Sequence, residues 1–292
     1  MSRFIGFAFP AFFSRKIGSS AVIRRVVNVG LTTLASRLLG LAREVLMANF
    51  LGTGLSADLF FTAYKIPNSL RKIFAEGALS AALVPSCVQL SRADQTGERV
   101  GKLMAVSLLF FQGFLFLFCV LVFWKAEMVV RLIAPGWFIS GQTELRPYTV
   151  PLLGAVLKWF APAWYDPNPI NAQVAPIVEY VRILIGFILC LSSSALLAAA
   201  LQASNRFLIP AICPVILNII YCVGLAFCLW IGAPVNFLCY IIMFGGVVQF
   251  SLHVAAYCSL GLGFPFPDKK TWQAFGVVMR KFIPCLLSTS VM

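Results

Sequence analysis

Between Arg206 and Asp268 the chain contains no Asp, Glu, Lys or Arg. A hydrocarbon core of about 30 Å is covered by roughly 20 helical residues, so this stretch is long enough to cross a bilayer twice. In hydrocarbon every backbone N–H and C=O must be satisfied within the protein, and a helix does so within a single segment. Gly232-Ala233-Pro234 supplies the turn that divides the stretch into spans near 207–232 and 235–262. The same ruler places spans near 27–51, 57–90, 103–134 and 178–203, and a partial seventh over 272–292. The predicted fold class is an all-α polytopic membrane protein with six transmembrane helices plus the start of a seventh.

Composition agrees with this reading. The 292 residues are 60% hydrophobic and 11% charged, whereas soluble domains run at roughly 45–50% apolar and about 25% charged. That excess cannot be hidden in one core, which argues against a soluble enzyme, and it is too apolar for a disordered chain. The 23 Lys+Arg against 10 Asp+Glu are read as flanks of spans and as candidates for an anion path. No basic stretch is interleaved with aromatics as a nucleic-acid surface would be, so no nucleic-acid partner is expected. The nine cysteines form no C-x-x-C pair and read as small buried hydrophobes. With His253 as the single histidine, no His-based metal cluster can be built, and no nucleophile-elbow, phosphate-loop or zinc motif occurs. The sequence therefore points away from catalysis and calls for no metal or cofactor.

Residues 1–26 read as a basic, interfacial segment with Arg3, Arg15, Lys16, Arg24 and Arg25, and residues 27–292 as the membrane unit. Gly52 and Gly54 turn the chain between the first two spans, and Asn205-Arg206 between the fourth and fifth. Pro67 is expected to bend the second span. The loop 135–177, rich in Pro with Trp159, Phe160, Trp164 and Tyr165, reads either as an external loop dipping aromatics into the interface or as a solvated insertion. If every candidate crosses once, the N-terminal segment, 91–102, Arg206 and Lys269-Lys270 share one side. The positive-inside rule makes that side cytoplasmic.

The first two spans hold Arg37, Arg43, Glu44, Asp58, Lys65, Arg71, Lys72 and Glu76, whereas the fifth and sixth hold almost no charge. A charge at the bilayer centre costs on the order of 2.5–3.5 kcal/mol on insertion scales. Two readings are open: these residues line a polar interior, or they snorkel to the interface. On a helix Arg37 and Glu44 share a face, as do Asp58, Lys65 and Lys72. The fifth and sixth helices are expected to face lipid or packed helices. Ser192–Ser194 with Ala195 and Ala198–Ala200 form a small-residue face suited to close packing.

The stretch S-R-L-L-G-L-A-R-E (36–44), followed by A-D-L-F-F-T-A-Y-K-I-P-N-S-L-R-K-I-F-A-E-G-A-L-S-A-A-L-V-P (57–85), closely resembles the MurJ/MviN family. A-L-Q-A-S-N-R-F-L-I-P-A-I-C-P-V-I-L-N (199–218) is similar to it as well. These are lipid II flippases of peptidoglycan synthesis, in the multidrug/oligosaccharidyl-lipid/polysaccharide exporter superfamily. The resemblance implies a two-lobed carrier enclosing a cationic cavity, with this chain as the N-terminal lobe in the bacterial inner membrane. By motif position it implies cavity or substrate-binding roles for Arg37, Arg43, Asp58, Arg71, Glu76 and Arg182, with Lys65 and Asn68 in the same motif. Glu44 departs from the Asp that relatives commonly carry. The implied partners are lipid II, membrane lipids and the cell-wall synthesis machinery. The implied activity moves the diphosphate-saccharide headgroup by alternating access, with no bond made or broken; a flippase for another polyprenyl-diphosphate glycan or a cation-coupled exporter is the alternative. Relatives continue for as many helices again, so this lobe alone is expected to bind the headgroup weakly without flipping it. The other route is a dimer joined through the small-residue face near Ser192–Ala200.

Overall fold

The computed structural model describes residues 19–74, 78–94, 97–134 and 175–290. Nine helices lie in these residues: α1 Ser19–Leu51, α2 Leu55–Phe74, α3 Ala78–Ala93, α4 Glu98–Trp124, α5 Ala126–Ile133, α6 Ala175–Ala203, α7 Leu208–Ile231, α8 Val235–Cys258 and α9 Lys269–Ser290. Four of them (α4, α6, α7 and α8) are long and apolar enough by themselves to cross a membrane. The others differ from that standard for a physical reason. Within α1 stand Arg37, Arg43 and Glu44; within α2 Asp58, Lys65 and Arg71; within α9 Arg280 and Lys281. The chain is thus a multi-pass helical protein, and the full count of six spans and a seventh remains an expectation from the sequence.

Several boundaries differ from the sequence reading. Helix α1 starts at Ser19 rather than near residue 27, so Arg24 and Arg25 belong to the helix. Arginine is a good helix former, and a helix propagates past the end of an apolar run at little cost. The expected span 57–90 is two helices, α2 and α3, with 75–77 outside the described residues. Helix α2 continues seven residues beyond Pro67 to Phe74. The 103–134 span is α4 and α5, divided at Lys125, where the uncharged run ends. Helix α8 stops at Cys258 instead of near 262, because Gly261 and Gly263 take left-handed conformations (φ 68° and 60°) that only glycine adopts freely. Most of the 135–177 loop and residues 1–18 lie outside the described residues.

The turns follow the sequence closely. Asn205 takes φ 61°, and the Arg206 amide donates to Leu201 O at 2.8 Å, closing α6 as a Schellman motif. Gly232 (φ 63°) closes α7 in the same way, with the Ala233 amide donating to Cys228 O at 3.0 Å.

Helix α6 is the hub, packed on α2, α3, α4, α5 and α8, while α1 packs on α7, α7 on α8, and α9 on α3 and α4. Side-chain contacts give the directions. Gln112 donates to Ser192 Oγ at 2.9 Å and Cys119 to Ile185 O at 3.5 Å, so α4 and α6 are antiparallel. Asn236 donates to Glu179 at 2.7 Å, and Gly186 faces Met243, so α6 and α8 run parallel. Asn218 bonds Ser36 and Cys222 bonds Leu39, so α1 and α7 run parallel. Phe110 meets Phe275 and Phe111 meets Phe282, so α9 runs with α4. The N-terminal ends of α1, α4, α7 and α9 therefore share one end of the molecule, and Arg99, Lys102, Arg206, Lys269 and Lys270 gather there. Exposed Trp124 and Trp230 mark the opposite end.

The small-residue face of α6 is used inside the molecule. Ser192, Ser193, Ser194, Ala199 and Ala200 are all buried, because helices surround α6. This removes the surface on which the dimer alternative depended.

Candidate functional site

Helices α1 and α2 scarcely touch among the described residues, because α1 is held by α7 and α2 by α6. A crevice lies between them, floored by α7 and α8. Arg43, Glu44 and Met47 of α1 line it on one wall, and Phe60 and Tyr64 of α2 on the other. Tyr221 and Leu225 of α7 and Leu238 and Ile242 of α8 form the floor. The crevice volume is about 30 Å³.

Arg43 is the centre of the polar chemistry. Its side chain is 27% exposed, half withdrawn from water yet reachable. Its Nη1 donates to Asn218 Oδ1 at 3.3 Å, Nη2 pairs with the Glu44 carboxylate, and the guanidinium lies 5.9 Å from the centroid of the Tyr221 ring. Asn218 Nδ2 in turn donates to the Ser36 carbonyl at 2.9 Å and to Ser36 Oγ at 3.3 Å. Arg43 Nε and Tyr221 Oη are buried, and among the described residues neither has a hydrogen-bond partner. Buried polar groups are nearly always paired, so these two leave hydrogen-bonding capacity unspent next to the crevice.

The sequence-chosen residues are placed as follows. Arg37 and Glu44 are exposed on one face of α1, while Arg43 turns toward α7. Asp58 and Lys65 are exposed on α2. Arg71 Nε donates to Asn68 Oδ1 at 3.3 Å, which puts these two on one face of α2. Glu76 lies outside the described residues. Arg182 sits on the side of α6 that meets α4, its guanidinium 5.8 Å from the Phe123 ring centroid. The exposed side of α1 is not purely polar as expected. Leu31, Leu34, Leu38, Leu41 and Val45 stand there beside Arg37 and Glu44, because α1 has a single close neighbour helix.

Sequence reasoning missed Asn218, Tyr221 and Tyr64. The available cue was Asn218 itself, one of three amides within the uncharged run, with Asn236 and Gln249, and a candidate by burial cost. Tyr221 lies three residues on, on the same helical face. His253 behaves as a packing residue, with Nδ1 at 2.9 Å from Gln249 O. Among the described residues no group of His, Cys, Asp and Glu is arranged to hold a metal ion.

The family model for lipid II flippase MurJ matches residues 47–292. A probable lipid II flippase MurJ of Rhizobium meliloti (strain 1021) is 30% identical over 257 residues, covering 84% of this chain and 41% of the relative. One of Buchnera aphidicola subsp. Acyrthosiphon pisum (strain APS) is 26% identical over 272 residues, covering 92% of this chain and 47% of the relative. The lipid II flippase MurJ of Burkholderia cenocepacia is 29% identical over 231 residues, covering 78% and 39%. The chain spans about half the length of the curated relatives it matches. With the family match running over most of the chain, the chain belongs to the lipid II flippase MurJ family.

Proposed function

We propose that this chain forms the N-terminal lobe of a lipid II flippase of the bacterial cytoplasmic membrane, with its N-terminus in the cytoplasm. Arg37, Arg43, Asp58, Lys65, Asn68, Arg71, Glu76 and Arg182 serve the diphosphate-saccharide headgroup as it crosses. One observation carries the reading: Arg43 stands part-buried beside an open crevice with 27% of its side chain exposed, on an element whose main packing among the described residues is against α7. A guanidinium suits a diphosphate because its fork pairs with two oxygens at once. Glu44 balances the cation when the site is empty, which limits the cost of holding it in a low-dielectric region. Alternating access would come from this lobe rocking against a second body around the headgroup. The gathering of basic residues at one end supports a cytoplasmic assignment of that end.

The test is binding of undecaprenyl diphosphate, compared with undecaprenol, to the purified chain in lipid nanodiscs. The expected result is a clear preference for the diphosphate, lost by more than about ten-fold in the double variant Arg43→Ala, Arg71→Ala. Equal binding of the two lipids, or a preference for organic cations, would replace the flippase reading with that of a cation-coupled exporter.

A further inference from the structure

Asn218 touches both the backbone of α1 and its cation. Its amide has a single workable orientation. Only the oxygen can accept from Arg43 Nη1, and only the NH2 can donate to the Ser36 carbonyl. The contact spans two turns of α1, from Ser36 to Arg43, and Asn218 itself is 7% exposed. Gly40 lies between these two positions, and a Cβ there would meet Asn218 Nδ2 at 3.7 Å, an ordinary contact. Tyr221, one turn further along α7, places its ring under the guanidinium. Between them, Asn218 and Tyr221 fix the height and the facing of Arg43.

We propose that Asn218 is a positioning residue for anion recognition, holding α1 in the register at which Arg43 presents its guanidinium to the crevice. This rests on the reading of the site as a diphosphate site. An arginine on a helix held by one neighbour would otherwise sample many rotamers, and binding would have to order it. A long side chain loses about 0.5–1.5 kcal/mol of freedom when immobilised at an interface, so fixing it beforehand strengthens binding. Asn218 spares the ligand that cost and also fixes the sliding position of α1 on α7.

A double-mutant cycle tests this with wild type, Asn218→Leu, Arg43→Ala and the double variant. Two quantities are read: undecaprenyl diphosphate binding in nanodiscs, and resistance of the free protein to unfolding by SDS. Asn218→Leu is expected to weaken binding by about ten-fold, the scale of a hydrogen bond to a charged group. In the Arg43→Ala background it should change binding by less than about two-fold, because its route to the ligand has gone. Asn218→Asp separates positioning from packing. It keeps an acceptor for Arg43, yet its carboxylate competes with phosphate, so it should bind worse than Asn218→Leu. A purely structural residue would give the reverse order. If Asn218→Leu does not insert, Asn218→Ser replaces it in the cycle, since its shorter hydroxyl reaches neither partner. Multiplicative effects on binding overturn the proposal. Should the wild type show no preference for the diphosphate, the functional reading falls, and the SDS cycle alone decides the contact: coupling sustains the Asn218–Arg43 linkage, and additivity removes it.

Discussion

Gly101 shows how much one missing side chain can decide. It is buried in the first turn of α4, and a Cβ there would lie 2.5 Å from the backbone oxygen of Leu262 and 3.2 Å from that of Gly263. Backbone oxygens cannot swing aside, so Gly101→Ala must push the 259–268 loop off α4. A cost of about 1–3 kcal/mol is expected, read as a lower unfolding midpoint. Gly113, on the same helix with nothing within 4 Å, is the control; Gly113→Ala should be neutral or stabilising through helix propensity alone, by up to about 1 kcal/mol. Asp268 fixes the other end of that loop. Its Oδ1 accepts from the Thr271 amide at 2.8 Å and from the Thr271 hydroxyl at 2.9 Å, capping α9. The Thr271 amide first, then its hydroxyl and Lys102, hold the Asp268 carboxyl at about 2, below its ordinary 3.8. The folded value lies below the unfolded one, so this contribution is complete above the unfolded value and is lost as pH falls through about 2. Unfolding midpoints taken between about pH 4 and pH 2 should fall for the wild type more steeply than for Asp268→Asn.

At the scale of elements, α6 and α8 run side by side because glycines let them approach. A Cβ on Gly246 would lie 2.5 Å from Phe187 Cδ2, whereas one on Gly186 would meet only the Met243 methyl at 3.0 Å. Phe187 is 2% exposed and has nowhere to turn, but a methionine end is flexible. Gly246→Ala should therefore destabilise by about 1–3 kcal/mol, and Gly186→Ala by clearly less, when both are measured by SDS unfolding. The hairpin turns were legible in the sequence because Gly232, Asn205 and Gly52 each take the left-handed conformation their residue type allows. The course of 57–90 was less so. The sequence draws the eye to Pro67, yet the helix passes it and runs on as far as Phe74. Packing outweighs the missing N–H there, because Pro67 is itself buried.

For the whole molecule, the directions of α1, α4, α6, α7, α8 and α9 gather Arg99, Lys102, Arg206, Lys269 and Lys270 at one end. Single cysteines introduced at Ser204 and Lys270 of a cysteine-free chain should stay unlabelled by an impermeant maleimide in sealed cells. Cysteines at Lys125 and Ala233 should react. Labelling at Ser204 would invert the proposed orientation. The division of labour between the helices is visible at this scale too. Helices α6 to α8 carry the apolar packing, while α1 and α2, barely in contact with each other, carry the charges.

The sequence alone determined that the chain is helical, that it crosses a membrane repeatedly and which helices carry charge. Those properties follow from the length of apolar runs and the cost of ions in hydrocarbon, both of which are local. It also marked Arg43 and Arg71 as candidates, because a charge within an apolar helix stands out in one dimension. Tertiary structure decided which partners those cations meet. The Ser36–Asn218–Arg43 contact joins residues more than a hundred and seventy positions apart, and no spacing rule reaches that far. It likewise decided that the small-residue face of α6 is consumed in the core. Whether a face is open depends on every helix packed around it, and that is settled only when the whole chain has folded.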